Sequence, residues 1–132
     1  KDGLIEFAIF NRSDSDYWQG IAGGGEETPI EAAKRELFEE TGLLNNILLS
    51  KLDTICSLSV ESVVGKFLWG EDIYVIKEYC FGAQIFTKNL ILSKEHLQYK
   101  WLSFEDAIKH LKWDSNKTAL WELNKRLLKQ NS

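Results

Sequence analysis

The residues with the clearest chemical potential are three closely spaced glutamates in the segment RELFEETGL, residues 35–43. Glu36 and Glu40 are four positions apart and Glu39 lies between them, so on an α-helix the three carboxylates fall within an arc of about 100°. Adjacent anions repel one another, whereas Mg²⁺ and Mn²⁺ prefer carboxylate oxygens and keep positions open for substrate phosphates. The spacing is compatible with a metal site or with a solvated glutamate-rich helix face, and three glutamates alone favour the solvated face.

The helix that carries these glutamates is predicted from its two ends. Residues 28–31, TPIE, form a capping box with proline at the first helical position. Gly42 occupies the position that usually follows the last helical residue. We therefore predict a helix from Pro29 to Thr41, about three turns long. Its predicted buried stripe, flanked by the glutamates, consists of Ile30, Ala33 and Leu37.

A glycine run precedes this helix and consists of Gly23, Gly24 and Gly25. A plain turn is the simpler interpretation. A loop without side chains also lets backbone amides approach phosphate oxygens closely. Because the run leads into a capped helix with three carboxylates, we predict that it approaches phosphate or metal.

From Glu27 to Leu43 the sequence resembles the Nudix box, the signature of the Nudix hydrolases. Seven residues separate Glu27 from the motif Arg-Glu-aliphatic-x-Glu-Glu-x-Gly-aliphatic, and every defined position matches. The glycine that opens the box would fall on Ile21, so the loop is two residues short. Either the deletion is real or two loop residues are lacking from this sequence. The resemblance implies a metal-binding loop carbonyl, which we assign to Gly23 and which a real deletion would displace.

The resemblance implies the Nudix fold, an α/β/α sandwich with a mixed β-sheet, as a single domain over residues 1–132. Three residues precede the first predicted strand. The family carries another strand there, so either the N-terminus of this sequence is truncated or that strand is missing and the sheet is incomplete. The hydrophobic pattern predicts the remaining elements. The strands are residues 4–10, 52–59, 73–75, 79–86 and 99–102, where 73–75 and 79–86 belong either to a hairpin or to one bulged strand. The helices are 104–111, capped by Ser103, and 116–129.

The composition restricts the classes of partner. The chain has 20 acidic and 16 basic residues, a net charge of −4. Proteins that bind nucleic-acid polymers non-specifically have a basic face, so we expect no such partner. Binding of a nucleotide is compatible with the acidic composition, because a bound metal ion can offset the charge of its phosphates. Cys56 and Cys80 are too few for a disulfide framework and lack metal-ligand spacing, which predicts reduced thiols in a cytoplasmic protein. No apolar run is long enough to span a membrane, and no membrane partner is expected.

Outside the box, three segments resemble a bacterial branch of the family that includes dATP pyrophosphohydrolase and dihydroneopterin triphosphate pyrophosphatase. They are Trp18-Gln19, residues 93–102 (SKEHLQYKWL) and residues 113–116 (WDSN). By this resemblance Glu95 reaches the metal site from a loop. A surface glutamate is its alternative role, and Glu78 is a weaker rival for the metal.

The resemblance also assigns roles to individual residues. Arg35 is an orienting ion-pair partner of the box carboxylates, with Glu27 as one candidate partner. Glu39 or Glu95 is the base that takes a proton from water. The predicted catalytic residues are Glu39, Glu36, Arg35 and Glu95. The predicted ligands of Mg²⁺, for which Mn²⁺ can substitute, are Glu36, Glu40, Glu39, Glu95 and Gly23.

The residues predicted to contact substrate are Trp18, Gln19, Gly24, Gly25, Trp113 and Asn116. Trp18, Tyr17 and Trp113 could stack on a flat ring, although an aromatic residue is more often part of a core. Asn116 could contact a ring edge, or with Ser115 it could cap the last helix, and capping is the favoured interpretation.

We therefore expect a Mg²⁺-dependent pyrophosphohydrolase that converts a nucleoside triphosphate such as dATP, or dihydroneopterin triphosphate, to a monophosphate and pyrophosphate. Two alternatives stay open: hydrolysis of a dinucleoside polyphosphate, nucleotide sugar or ADP-ribose, and a non-catalytic domain that binds nucleotide. The shortened loop favours the binding domain, whereas the intact carboxylate set argues against it. The expected partner is a small nucleotide-like substrate, and a homodimer is open because Nudix proteins often dimerise.

Overall fold

The computed structural model describes residues 5–12, 17–21, 28–42, 49–59, 74–85, 90–92 and 96–130. These residues form three helices and five strands, and no helix among them is long and apolar enough to cross a membrane. In chain order the elements are β1 (Phe7–Arg12), β2 (Trp18–Gln19), α1 (Pro29–Thr41), β3 (Leu49–Ser59), β4 (Val75–Ala83), β5 (His96–Leu102), α2 (Phe104–His110) and α3 (Asp114–Gln130).

The first sheet has the strand order β2-β1-β5, and both strand pairs are antiparallel. Phe10 of β1 lies opposite Tyr99 of β5 and also opposite Gln19 of β2. On its other side β2 forms an isolated parallel bridge from Trp18 to Leu111. The short strand β2 is thus held on both sides, by β1 and by the connection between α2 and α3.

The second sheet consists of β3 and β4, which pair antiparallel from Leu49↔Ala83 to Ser59↔Val75. Of the two predicted arrangements for residues 73–75 and 79–86, a hairpin or one bulged strand, the structure has the single strand, because β4 runs through residues 76–78. Lys77 and Glu78 are polar residues between two apolar segments, but both are paired with residues of β3. Cross-strand hydrogen bonding overrides the weak strand preference of these two residue types.

The buried core lies where the last two helices cover the first sheet. Phe7 and Ile9 of β1 pack with Ala107 of α2, with Leu111 and with Leu120 of α3. Further residues of α3 cover the second sheet: a Cβ atom added at Gly82 of β4 would lie 2.7 Å from Leu123 Cδ1. A larger residue there would displace the end of the Leu123 side chain. Helix α3 thus contacts both sheets, through Leu120 and Leu123.

The helix predictions are confirmed at α1 and shifted elsewhere. Helix α1 has the predicted bounds Pro29–Thr41, with both hydrogen bonds of the capping box between Thr28 and Glu31. Gly42 ends it with φ 72°, and its amide donates to the Phe38 carbonyl at 2.9 Å. Helix α3 starts at Asp114, two residues before the predicted start.

Candidate active site

Helix α1 turns one edge of its carboxylate cluster toward the protein and the other toward solvent. Glu40 is only 4% exposed. The side chain of Glu36 is 14% exposed and that of Glu39 is 49% exposed. Glu36 and Glu40 are one helical turn apart on the inward edge. The structure therefore brings these two together and places Glu39 on the outer side.

The predicted buried stripe of α1 is wrong in part. Ile30 is 40% exposed, and Ala33 and Leu37 are only half-buried. The buried residues are Ala32, Glu40 and Thr41. The prediction was based on the spacing of apolar side chains. The helix instead packs with part of its acidic edge inward, and the spacing of apolar residues does not show this.

Arg35 forms ion pairs on this helix as the resemblance implied, but with near neighbours. Its Nη1 atom lies 3.2 Å from Glu36 Oε2 and 3.1 Å from Glu39 Oε1. Glu27, the other predicted partner, lies outside the described residues. One guanidinium thus holds two carboxylates of the cluster in fixed orientations.

The electrostatics of the cluster oppose ionisation at its inner edge. Burial raises the pKa of the Glu36 carboxyl above its ordinary value, and the charges of Glu39 and Glu40 raise it further, while Arg35 works in the opposite direction. A carboxylate in this environment is stabilised by an additional positive charge. The inner edge of α1 therefore has the electrostatic character of a cation-binding surface.

The donor atoms of Glu36 and Glu40 fit a hard divalent cation, because both are carboxylates one helical turn apart. Among residues 5–12, 17–21, 28–42 and the later described ranges, no three potential ligands come together. Glu78, the weaker rival for the metal, therefore does not join Glu36 and Glu40. Gly23 and Glu95 lie outside the described residues, and their roles stay predictions.

Glu78 belongs to another part of the molecule. Alternate residues of a strand share one face, so Glu78 and Cys80 lie on the same face of β4 as Gly82, which contacts α3. The Glu78 Oε1 atom is buried there without a hydrogen-bond partner among the described residues. Burial, with the nearby Glu78 charge, raises the pKa of the Cys80 thiol to about 12.

The predicted substrate residues of β2 are more enclosed than expected. Gln19 is 6% exposed. The Trp18 ring meets His110 edge-on at 6.4 Å between centroids, and the Lys100 ammonium lies 5.0 Å from its centroid. Trp18 also packs against the buried core, so its ring is chiefly a structural element.

Trp113 is the more open aromatic candidate. It is 44% exposed and meets Tyr17 edge-on at 5.5 Å between ring centroids. The Lys112 ammonium lies 4.7 Å from the Tyr17 centroid and 5.1 Å from that of Trp113. The sequence analysis did not single out Lys112, although its place beside Trp113 was a usable signal. Together the three side chains form an aromatic surface with one positive charge.

Asn116 does not cap the last helix, which corrects the favoured interpretation. It lies in the first turn of α3, and its Oδ1 atom accepts a hydrogen bond from the Gly20 amide at 3.2 Å. The Lys112 amide donates to the Trp18 carbonyl at 3.1 Å. These two bonds attach the end of β2 to the start of α3, just before the glycine run. Gly24 and Gly25 of that run lie outside the described residues.

Comparisons with known proteins match this chain to a protein family and to two named relatives. The sequence model of the NUDIX domain matches residues 5–122. Dihydroneopterin triphosphate diphosphatase from Haemophilus influenzae is 28% identical over 126 residues, covering 91% of this chain and 78% of the relative. The Escherichia coli enzyme of the same name is 31% identical over 115 residues, covering 83% and 75%.

A solved structure supports the same relationship. A Listeria monocytogenes protein assigned to the Nudix hydrolases superimposes with a TM-score of 0.84 at 39% identity, over 98% of this chain and 88% of that chain. The predicted fold class and the predicted resemblance are confirmed. The residues that carried the prediction also occupy one capped helix with an inward acidic edge. The chain belongs to the Nudix domain family and is a Nudix hydrolase.

Proposed function

We propose that this Nudix hydrolase is a divalent-cation-dependent pyrophosphohydrolase that converts a nucleoside triphosphate, or dihydroneopterin triphosphate, to a monophosphate and pyrophosphate. The observation that carries the proposal is the inward pair Glu36 and Glu40, at which the pKa of Glu36 is raised by burial and by neighbouring anions. The substrate class is supported by two relatives named dihydroneopterin triphosphate diphosphatase.

The carboxylates of Glu36 and Glu40 would hold the cation, Mg²⁺ or in its place Mn²⁺, with Glu95 and the Gly23 carbonyl as further proposed ligands. When bound, the cation supplies positive charge to the phosphate oxygens and polarises the phosphoryl group that water attacks. Arg35 holds Glu36 and Glu39 at 3.2 and 3.1 Å. Arg35 would thereby keep the carboxylates aligned while charge changes during phosphoryl transfer.

A carboxylate takes the proton from the attacking water. Glu39 is a candidate because its side chain is 49% exposed and can reach solvent beside the inward pair. Glu95 is the alternative base. Replacing each by glutamine separates the two, because the general base should be the residue whose loss removes the acidic limb of the pH–rate profile.

The organic part of the substrate would bind at the surface formed by Tyr17, Lys112 and Trp113. Trp113 exposes enough of its ring for stacking, and stacking accepts many flat rings. The Lys112 ammonium, 5.1 Å from the Trp113 centroid, would favour electron-rich rings or a nearby phosphate. Asn116, whose Oδ1 accepts from Gly20, keeps its amide group available for a ring edge.

The direct test is a phosphate-release assay with Mg²⁺ over dNTPs, dihydroneopterin triphosphate, ADP-ribose and diadenosine tetraphosphate, with and without added inorganic pyrophosphatase. We expect signal on a triphosphate only when pyrophosphatase is present, because the first product is pyrophosphate rather than phosphate. Omission of Mg²⁺ should remove the signal, and Mn²⁺ should restore it.

Each alternative is distinguished when the products are separated by anion-exchange chromatography, because ADP-ribose would yield AMP and ribose 5-phosphate and diadenosine tetraphosphate would yield ATP and AMP, or ADP alone, without free phosphate or pyrophosphate. Cleavage of ADP-ribose or diadenosine tetraphosphate in place of any triphosphate would assign the chain to another substrate class. Measurable nucleotide binding without turnover of any compound would contradict the proposal and indicate a binding domain.

A further inference from the structure

The C-terminal end of α1 is attached to the first sheet through a short segment, residues 90–92. The Ile91 amide donates to the Thr41 carbonyl at 2.9 Å. The neighbouring Leu90 amide donates to the Tyr99 hydroxyl at 3.1 Å. Tyr99 lies on β5, opposite Phe10 of β1. Two successive hydrogen bonds thus lead from the last turn of α1 to a side chain of the first sheet.

The contact between this segment and α1 is close. A Cβ atom added at Gly42 would lie 3.0 Å from Ile91 Cβ. Ile91 itself is 76% exposed, whereas its neighbours Leu90 and Leu92 are half-buried. Thr41 and Glu40 are 2% and 4% exposed. The hydrogen bonds at Leu90 and Ile91 therefore act together with partial burial of the segment.

This attachment joins two parts of the candidate site. Helix α1 makes its contacts with β3 and β4 of the second sheet. Trp18, whose carbonyl binds the Lys112 amide beside Trp113, lies in the first sheet. A cation held by the carboxylates and a ring held near Trp113 must keep a fixed separation for one substrate to reach both. The segment 90–92 connects the end of α1, next to Glu40, to β5 of the first sheet.

We propose that Tyr99 is a positioning residue whose hydroxyl holds residues 90–92 against the last turn of α1, and so sets the place of Glu40 relative to the first sheet. The inference rests on the proposed function, because it assigns Glu40 to the cation. In this proposal Tyr99 has no role in binding substrate or cation. It acts through Leu90, Ile91 and the Thr41 carbonyl.

The test is Tyr99→Phe, which removes one oxygen atom and keeps the ring beside Phe10, at 6.5 Å between centroids. Because a misplacement of about 1 Å can reduce a rate by up to about 100-fold, we expect kcat to fall by about 10-fold. The Mg²⁺ concentration for half-activation should rise by a similar factor, while KM for the substrate changes less. The matched control is Tyr79→Phe, which removes the same atom from a tyrosine on β4. Strand β4 is one of the strands that contact α1.

A second variant breaks the same attachment at its other end. Ile91→Pro removes the amide that donates to Thr41, since proline has no N–H. If both variants act through the segment, their combined effect on Mg²⁺ activation should equal that of either one rather than their product. Multiplying effects, or a Tyr99→Phe enzyme with wild-type kcat and wild-type Mg²⁺ dependence, would overturn the proposal.

Amide hydrogen exchange separates failure of this inference from failure of the proposed function. In Tyr99→Phe the amides of residues 38–42 should exchange faster than in the wild type, and in Tyr79→Phe they should not. This readout needs no substrate and no metal. Faster exchange in a protein that hydrolyses none of the triphosphates would retain the attachment and contradict the proposed function. Unchanged exchange in an active enzyme would contradict the attachment alone.

Discussion

Two carboxylates on helices that contact β3, Glu36 on α1 and Glu122 on α3, are in opposite electrostatic environments. Burial acts on both and favours their neutral forms. At Glu36 the neighbouring anions add to this effect, and the pKa is raised. At Glu122 hydrogen bonds outweigh burial and lower the pKa to about 2. The difference lies in the number of donors that the protein itself directs at each carboxylate.

Glu122 receives donors from two separate parts of the chain. Its oxygens accept from the Asp53 amide at 2.6 Å, from the Thr54 amide at 2.8 Å and from the Thr54 hydroxyl at 2.6 Å. Arg126 adds its Nε atom at 2.7 Å and also pairs with Asp53 at 3.0 Å. The Glu122 carboxylate therefore links α3 to β3 by hydrogen bonds, and Arg126 balances its negative charge.

Glu36 shares one guanidinium with Glu39 and has Glu40 beside it. The fold thus supplies internal donors where a carboxylate has a structural role. At Glu36, where we propose that a cation binds, the described residues supply less positive charge and fewer donors. The two centres form a natural pair of experiments, one on activity and one on stability.

The largest expected effect is on activity at the α1 centre. Glu36→Gln or Glu40→Gln should lower the rate by at least about 100-fold, since removal of one group that stabilises developing charge costs about that much. Glu105→Gln on the exposed face of α2 makes the same chemical change and should leave the rate near that of the wild type. A Glu36→Gln enzyme with a near-normal rate under saturating Mg²⁺ would contradict the assignment.

The next effect is on stability at the α3 centre. Glu122→Ala leaves the Asp53 and Thr54 amides without their acceptor, so we expect the free energy of unfolding to fall by about 2 kcal/mol. Urea unfolding measures this change, with Glu105→Ala as the control. The activity of the folded variant should stay near that of the wild type. Lost activity at unchanged stability would place Glu122 in the site and abolish the contrast.

A smaller effect should appear at Glu36 without metal. Because its pKa is raised by burial and by the neighbouring anions, ionisation of Glu36 costs more free energy in the folded protein than in the unfolded chain. In the presence of a chelator, Glu36→Gln should therefore raise the Tm, by about 2 °C. The difference should vanish as the pH falls through the folded pKa of Glu36 toward 4.5, where the wild-type carboxyl also becomes neutral.

Added Mg²⁺ should reverse this order, because a ligand that binds only the folded state stabilises it. The wild type should gain Tm with Mg²⁺ and the Glu36→Gln variant should gain much less. Equal gains in both proteins would show that the cation binds elsewhere.

The smallest effect concerns the pH dependence at Glu122. Its folded pKa of about 2 lies below the ordinary value of 4.5, so its contribution to stability is present in full above pH 4.5. That contribution is lost as the pH falls toward about 2. The stability difference between the wild type and Glu122→Gln should be constant from pH 7 to pH 5 and shrink below that range. A difference that stayed constant through this acid range would contradict the hydrogen-bonded carboxylate.

The accuracy of the sequence predictions followed the range of the interactions involved. Helix α1 was predicted to the residue because its capping box spans four positions and its glycine end is local. The sequence left a hairpin and a single bulged strand open at β4, because the continuity of this strand depends on pairing with β3. The role of Asn116 was misjudged because its partner, Gly20, is 96 positions away. Capping motifs and turns can be predicted from a single sequence because they involve neighbouring residues. Contacts between residues that are far apart along the chain cannot be predicted in this way.

The sequence by itself determined the family, the carboxylate helix and its ends, since these depend on residue types at short fixed spacings. Only the tertiary structure decided which carboxylates face inward, because burial depends on what packs against the helix. It alone also showed that Glu122 is satisfied by residues 68 and 69 positions away, and that Tyr99 reaches the end of α1 through residues 90–92. The pKa of a carboxyl group depends on burial, neighbouring charges and hydrogen bonds, and these come together only when the chain folds.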